Sequence, residues 1–192
     1  MNGTETGRIV LVTGGARSGK STFAEKLAAQ SGQRIGYIAT AQIYDEEMRF
    51  RVALHQQRRP ANWQTYEAPF GAEEAIQAAC QQSDVILFDC ITLYLSNLLC
   101  SLPEAELAAQ DKVYALTRQK VGALITAAEA AAERGLTVIF VTNEVGAGIV
   151  PENKLSRIYR DISGLANQQI AQAAADVYAV IAGIPVNIKA LA

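Results

Sequence analysis

The stretch "VTGGARSGKST", residues 12–22, decides the fold of this chain. It leaves the apolar run "RIVLVT" (8–13) and enters "GKSTFAEKLAAQSG", a helical stretch closed by a glycine. Gly14, four intervening residues, Gly19, Lys20 and Ser21 have the spacing of a phosphate loop, in the strand–loop–helix setting that such a loop requires. The chemistry explains the spacing. Glycines let backbone N–H groups turn inward around a β-phosphate, and the helix that starts there adds partial positive charge. Lys20 brings a cation to the β- and γ-oxygens, and the Ser21 hydroxyl suits the coordination shell of a magnesium ion. Thr13, Gly14, Gly15, Ala16, Arg17, Ser18, Gly19, Lys20 and Ser21 are therefore the candidate nucleotide contacts. Arg17 has two readings: it neutralises a transferring phosphoryl group, or it merely decorates the loop.

Outward from the loop, four more β-branched runs punctuate the chain: "RIGYIAT" (34–40), "DVILFD" (84–89), "TVIFVTN" (137–143) and "DVYAVIAG" (176–183). Each is almost continuously apolar, as strands are when both sheet faces are covered. Between the strands lie helical stretches. In "AELAAQDKVYALTRQKVGALITAAEAAAERG" an apolar stripe of Val113, Leu116, Val121, Leu124 and Ala128 runs to a stop at Gly135. Strands alternating with helices imply βαβ crossovers and a three-layer α/β domain. The tail "GIPVNIKALA" predicts one more short extended segment after a Gly-Ile-Pro turn. Asp89 ends its strand, where phosphate-loop proteins keep a carboxylate for magnesium or its waters; a strand-terminal aspartate also serves as a turn former.

Composition excludes several classes. The chain of 192 residues suits one well-buried domain, 1–192, and half of it is hydrophobic. A formal charge of −2 offers no global attraction to nucleic acid or an anionic membrane. Cys80, Cys90 and Cys100 stand ten apart with no CxxC pair, which suits reduced thiols rather than a zinc site or a disulfide framework. The opening "MNGTETGR" lacks the pattern of a signal peptide, and no apolar run is long enough for a membrane span. A cytoplasmic protein is expected. No Asn-Lys-x-Asp guanine-reading motif occurs, and basic stripes interleaved with aromatics are absent, so a small-molecule phosphotransferase is the default reading.

Residues 41–70 are the least regular part: an acidic start, "YDEEM", a helical run to about Gln57, then "RRPANW". They read as a lid-like insertion over the carboxyl edge of the sheet, where ligands bind in such folds. His55, the only histidine, falls here. Its polar, basic context alone suggests a solvated helix residue.

Several phrases together change that reading. "LVTGGARSGKS", "YIATAQIYDEEM", "RRPANW", "VTNEVGAGIVPEN" and "RDISGLANQQIA", spread over residues 11–171, resemble the bifunctional adenosylcobinamide kinase / adenosylcobinamide-phosphate guanylyltransferases of cobalamin synthesis. The resemblance implies a P-loop NTPase fold of the RecA-like kind, α/β, with three layers and a mostly parallel central sheet. It implies two reactions. ATP or GTP, with Mg2+, phosphorylates adenosylcobinamide; GTP then donates GMP to adenosylcobinamide phosphate through a GMP–histidine intermediate. The histidine matching the family's nucleophile is His55. A neutral imidazole, with an unperturbed pKa of about 6.5, is a competent nucleophile near neutrality and carries no charge to be repelled by anionic GTP.

By matching motif, the resemblance also assigns GTP contacts to Ala39, Thr40, Ala41, Gln56, Gln57, Arg58, Arg59, Glu67 and Asp89. Arg58 and Arg59 suit phosphate oxygens. The Glu67 carboxylate suits guanine N1–H and N2–H or ribose, or else it is a solvated strand residue. Some relatives carry His-His where this chain has Leu54-His55, and Lys-Asp-Gly where it has Gln56-Gln57-Arg58. Asn153, Arg157, Arg160, Asp161 and Asn167 match the family in substrate contact or subunit interface. Relatives form homotrimers, and the resemblance implies the same here. Two rivals remain: a phosphate-loop kinase that has lost nucleotidyl transfer, and a regulatory nucleotide-binding module. Retention of His55 argues against the first, and steady turnover of cobinamide would exclude the second.

Overall fold

The computed structural model describes residues 7–192, and the side chains of Glu47, Arg51, His55 and Arg58 fall outside the described residues. The apolar runs form strands because each offers alternate residues to two separate cores. In β1 (Arg8–Gly14), Ile9 and Leu11 enter one core while Val10 and Val12 enter the other. The same division splits Ile86 and Phe88 from Val85 and Leu87 in β4 (Val85–Asp89), and Val138 and Phe140 from Ile139 and Val141 in β5 (Thr137–Asn143). The sheet is therefore a middle layer with both faces dry, as near-continuous apolarity requires.

Its strand order is β3-β2-β4-β5-β1-β6-β7, with β2 at Ile35–Ala39, β3 at Gln64–Glu67, β6 at Asp176–Ile181 and β7 at Ile184–Asn187. All neighbours pair in parallel except β6 and β7. The larger core is covered by α3 (Ala72–Ala79), α4 (Ile91–Cys100), α6 (Gln110–Glu133) and α7 (Lys154–Ala173). The smaller is covered by α1 (Lys20–Ser31), through Ala24 and Ala28. The parallel register aligns the carboxyl ends of the strands on one edge, with Gly14 beside Asn143 and Ala39 beside both Asp89 and Glu67.

Three expectations are corrected. The alanine-rich stretch is two helices, α5 (Glu104–Ala108) and α6, separated at Ala109, whose φ −90 and ψ 80 leave the helical region. α5 fully buries no residue and meets the larger core only through half-buried Leu107. Of the stripe that begins at Val113, Leu116 is only half-buried. Within residues 41–70, α2 (Glu46–Arg58), capped by the Asp45 side chain on Met48 N, leads into edge strand β3, so residues 64–67 belong to the sheet itself rather than lying over its edge. The polar "QTYE" is a strand because its backbone pairs with β2 while its side chains sit at an edge, where charge is tolerated. At the C-terminus the turn is Ala182–Gly183, with φ 51 and 81, the two-residue hairpin geometry. Pro185 lies within edge strand β7, where a missing N–H is harmless. Among the described residues no helix is long and apolar enough to cross a membrane.

Candidate active site at the carboxyl edge of the sheet

The phosphate loop turns between β1 and α1 with little freedom. A Cβ on Gly14 would lie 2.5 Å from Val180 O and 2.6 Å from Ser18 Oγ, so the chain passes there only as glycine. Ser18 N donates to Gly15 O at 3.2 Å, which tightens the turn, and Gly183 N donates to Ser18 O at 2.8 Å, which braces it from the β6–β7 hairpin. Gly19 caps α1 at φ 92, in the left-handed region. Gly15 differs: a Cβ there would meet nothing within 4 Å, so the loop is open at that point. Lys20 Nζ donates to Gly15 O at 3.3 Å and so lies over the loop. The hydroxyls of Thr13 and Ser18 are buried without a partner among the described residues. Arg17 is exposed, at φ 58. Ser21 sits half-buried in the first turn of α1, where the N–H groups and helix dipole favour an anion.

Asp89 stands at the end of β4, and its Oδ2 accepts a hydrogen bond from Tyr37 OH at 2.8 Å. Burial first, and the neighbouring Asp89 charge second, hold the Tyr37 hydroxyl far above its ordinary pKa. It therefore remains a donor. The Cys90 thiol is pushed up to about 11 by burial and then by Asp89, and is protonated and unreactive at neutral pH. Thr40 is committed within the protein: its hydroxyl donates to Cys90 O at 2.9 Å and accepts from Cys90 N at 2.8 Å, and its carbonyl accepts from Asn97 at 2.8 Å. Its side chain ties β2 to β4 and has no free donor for a nucleotide. Asn143 Nδ2 donates to Thr92 Oγ1 at 2.8 Å, and Thr142 Oγ1 donates to Asn167 Oδ1 at 2.7 Å. A buried, mutually satisfied polar layer thus fixes the strand ends.

Among the described residues no three histidine, cysteine or carboxylate side chains cluster. Magnesium held against phosphates needs no such cluster, since it keeps several waters and takes one or two protein groups. Ser21 and Asp89 fit that requirement and are the residues that could hold it.

A cleft of about 270 Å³ opens between the end of α2 and β3, lined by Gln56, Arg59, Pro60, Ala61, Trp63, Thr65 and Glu67. The Arg59 guanidinium lies 3.5 Å from the centre of the Tyr37 ring, and its Nη1 donates to Thr65 Oγ1 at 3.3 Å. Its Nε is buried with no partner among the described residues. The Trp63 ring lies 6.4 Å from that of Tyr37. Glu67 is exposed at the end of β3, beside Ala39 and so one strand from Asp89. Ala41 follows the end of β2, and Gln57 is exposed on α2. The backbones of His55 and Arg58 belong to α2, and their side chains lie outside the described residues.

The structure therefore gathers Lys20, Ser21, Asp89, Gln56, Arg59 and Glu67 along one sheet edge. The later family-matched residues make contacts within the chain. Asn153 caps α7 by accepting from Ser156 N, Arg157 donates to Pro151 O at 3.0 Å, and Asp161 accepts from Tyr114 OH at 3.2 Å. Arg160 lies 4.0 Å from Asp161, and Asn167 joins the buried layer. Tyr37, Trp63 and Gly183 were absent from the expectations. Trp63 stood beside "RRPAN" and was open to notice, whereas a tyrosine inside an apolar run and a glycine in a hairpin carry no local sign of a site.

Residues 10–188 match the family described as cobinamide kinase / cobinamide phosphate guanyltransferase. The chain is 44% identical over 182 residues, 94% of its length and 99% of the relative's, to the bifunctional adenosylcobalamin biosynthesis protein CobU of Escherichia coli (strain K12). It is 45% identical over the same shares to the CobU of Salmonella typhimurium. To CobP of Pseudomonas aeruginosa it is 41% identical over 93% of this chain and 96% of that one. Among solved structures it is similar to the flagellar accessory protein FlaH from Methanocaldococcus jannaschii, with a TM-score of 0.50, 14% identity and coverage of 91% of this chain and 71% of that one. The RadB recombinase matches with a TM-score of 0.50, 15% identity and coverage of 91% and 74%. At such identities the two structures speak to fold alone, and they bear out the expected α/β, RecA-like architecture.

Proposed function

Since the chain belongs to the cobinamide kinase / cobinamide phosphate guanyltransferase family, we propose that it phosphorylates adenosylcobinamide and then guanylylates the product. In the first step a hydroxyl oxygen of adenosylcobinamide bonds to the γ-phosphorus of ATP or GTP as the bond to the β–γ bridging oxygen breaks, releasing ADP or GDP and the hydroxyl proton. In the second, GTP gives GMP to adenosylcobinamide phosphate, leaving adenosyl-GDP-cobinamide and pyrophosphate.

The phosphate loop holds the β-phosphate, so the γ- and α-phosphorus atoms lie on opposite sides of it. Lys20 stabilises charge on the γ side; Ser21 and Asp89 would hold magnesium, which would neutralise the phosphate oxygens. On the α side the His55 imidazole forms a P–N bond as the α–β bridging bond breaks and pyrophosphate departs. An oxygen of adenosylcobinamide phosphate then attacks that phosphorus, the P–N bond breaks, and the imidazole is regenerated neutral. Glu67 accepts from guanine N1–H and N2–H in the cleft, and Arg59 and Gln56 offer donors beside it. The segment around 41–70 acts as a lid that carries His55 to the α-phosphate once GTP is bound. We assign the whole chain to one such domain, active as a homotrimer, with exposed Ile149 and Val150 available to an interface.

The observation that carries this reading is the common edge. The phosphate loop and the Arg59–Glu67 cleft open beside the same row of strand ends, and α2, the helix of His55, ends at the cleft. Incubation with GTP labelled at the α-phosphate should leave one label per chain on His55, stable to alkali and lost in mild acid. Label that survives acid, or that persists in His55→Ala, overturns the covalent route.

A further inference from the structure

We propose that Tyr37 is a positioning residue serving both halves of the site: its hydroxyl orients the Asp89 carboxylate for magnesium, and its ring face seats Arg59 in the cleft. The inference rests on the assignment of Asp89 to the metal. Three neighbouring groups surround the Tyr37 side chain. Tyr37 OH reaches Asp89 Oδ2 at 2.8 Å, the Arg59 guanidinium stands 3.5 Å over the Tyr37 ring, and Trp63 flanks that ring at 6.4 Å.

Each contact has a physical consequence. Occupying Oδ2 with a donor fixes the carboxylate rotamer and leaves Oδ1 to meet a metal ion or its water, as groups hydrogen-bonded to ligating carboxylates do. Tyr37 is 2 % exposed, so the hydroxyl cannot trade Asp89 for bulk water. The ring attracts the guanidinium electrostatically, and Arg59 Nε is buried without a partner among the described residues. A desolvated, unsatisfied donor is costly unless it is reserved for a ligand acceptor. The ring therefore holds Arg59 ready on the cleft side while the hydroxyl acts one strand away on the metal side. One side chain thus links Asp89 on the metal side to Arg59 on the cleft side.

Hydroxyl and ring can be deleted separately. Tyr37→Phe keeps the seat for Arg59 and removes the bond to Asp89. Tyr37→Leu removes both. The measurements are GTP affinity in EDTA, the Mg2+ concentration at half-maximal tightening of GTP binding, and the emission of Trp63, the only tryptophan. Tyr37→Phe should raise the Mg2+ midpoint about tenfold, with metal-free GTP affinity and Trp63 emission as in the parent. Tyr37→Leu should raise the midpoint equally, weaken metal-free GTP binding several-fold and shift the emission. If Tyr37→Leu does not fold, Arg59→Met supplies the second arm: weaker metal-free binding with the Mg2+ midpoint unmoved. A Tyr37→Phe midpoint equal to that of the parent overturns the inference, as does equal metal-free affinity in the parent and the second-arm variant. Asp89→Asn locates the fault. If it moves the Mg2+ midpoint and Tyr37→Phe does not, Tyr37 alone is misassigned; if neither moves it, the metal assignment of Asp89 falls too.

Discussion

In the proposed mechanism Lys20 and His55 act at different bonds of the same nucleotide, and their variants should differ accordingly. Lys20→Ala leaves γ-phosphoryl charge without its fixed cation and should slow phosphorylation of adenosylcobinamide by about two to three orders of magnitude. His55→Ala removes a nucleophile. It should lose guanylyl transfer by about 10⁴-fold or more while keeping most kinase activity. Both reactions are to be assayed on one preparation whose melting is normal; rates that fall by one common factor would make His55 structural. At this scale the sequence showed the residues whose chemistry is tied to a local motif. Lys20 was legible from its loop and Asp89 from its strand end. Tyr37 was not, because "RIGYIAT" gives a buried tyrosine the look of core. Thr40 was named from its motif as a GTP contact, but its commitment to Cys90 and Asn97, 50 and 57 residues away, was not legible.

The phosphate loop as an element separates two uses of glycine. Gly19 lies at φ +92, and a Cβ there would stand 3.1 Å from Gly183 Cα. Gly19→Ala should destabilise the protein by about 1–3 kcal/mol, as strained backbone does. Gly15 has room for a methyl group, with nothing within 4 Å. Gly15→Ala should leave stability within about 0.5 kcal/mol yet weaken triphosphate binding, because the methyl group enters the phosphate cradle. Urea denaturation and nucleotide titration on both variants test the contrast; equal losses of stability would sink it. Elements with strong periodicity and a stop were the legible ones, such as β5 and α1. α5 and β3 were hidden. An alanine-rich run continues a helical pattern through Ala109 without a break, and a polar edge strand has pairing but no apolar signature.

For the whole molecule, nucleotide binding is a stabilising force on the fold. A ligand at one hundred times its Kd adds about 2.7 kcal/mol, which in a chain of this length raises Tm by about 5–10 °C. GTP with Mg2+ should produce such a shift in the parent and little in Lys20→Ala. A parent Tm that does not respond to saturating Mg-GTP would contradict binding at the loop. The shift reaches the entire domain because β1 lies inside the sheet, between β5 and β6, and the loop is braced by Gly183 from the far hairpin.

The sequence by itself determined that a phosphate loop joins an apolar strand to a helix, that the layers alternate, and which phrases tie the chain to its family. Those properties depend on residues close together in the chain, where spacing alone sets geometry. Only the tertiary structure decided the strand order, the inclusion of residues 64–67 in the sheet, and the meeting of Tyr37 with Asp89 across 52 residues. Such meetings follow from parallel pairing and from the packing of helices on both faces. Those long-range contacts stabilise one register among many that the local pattern allows.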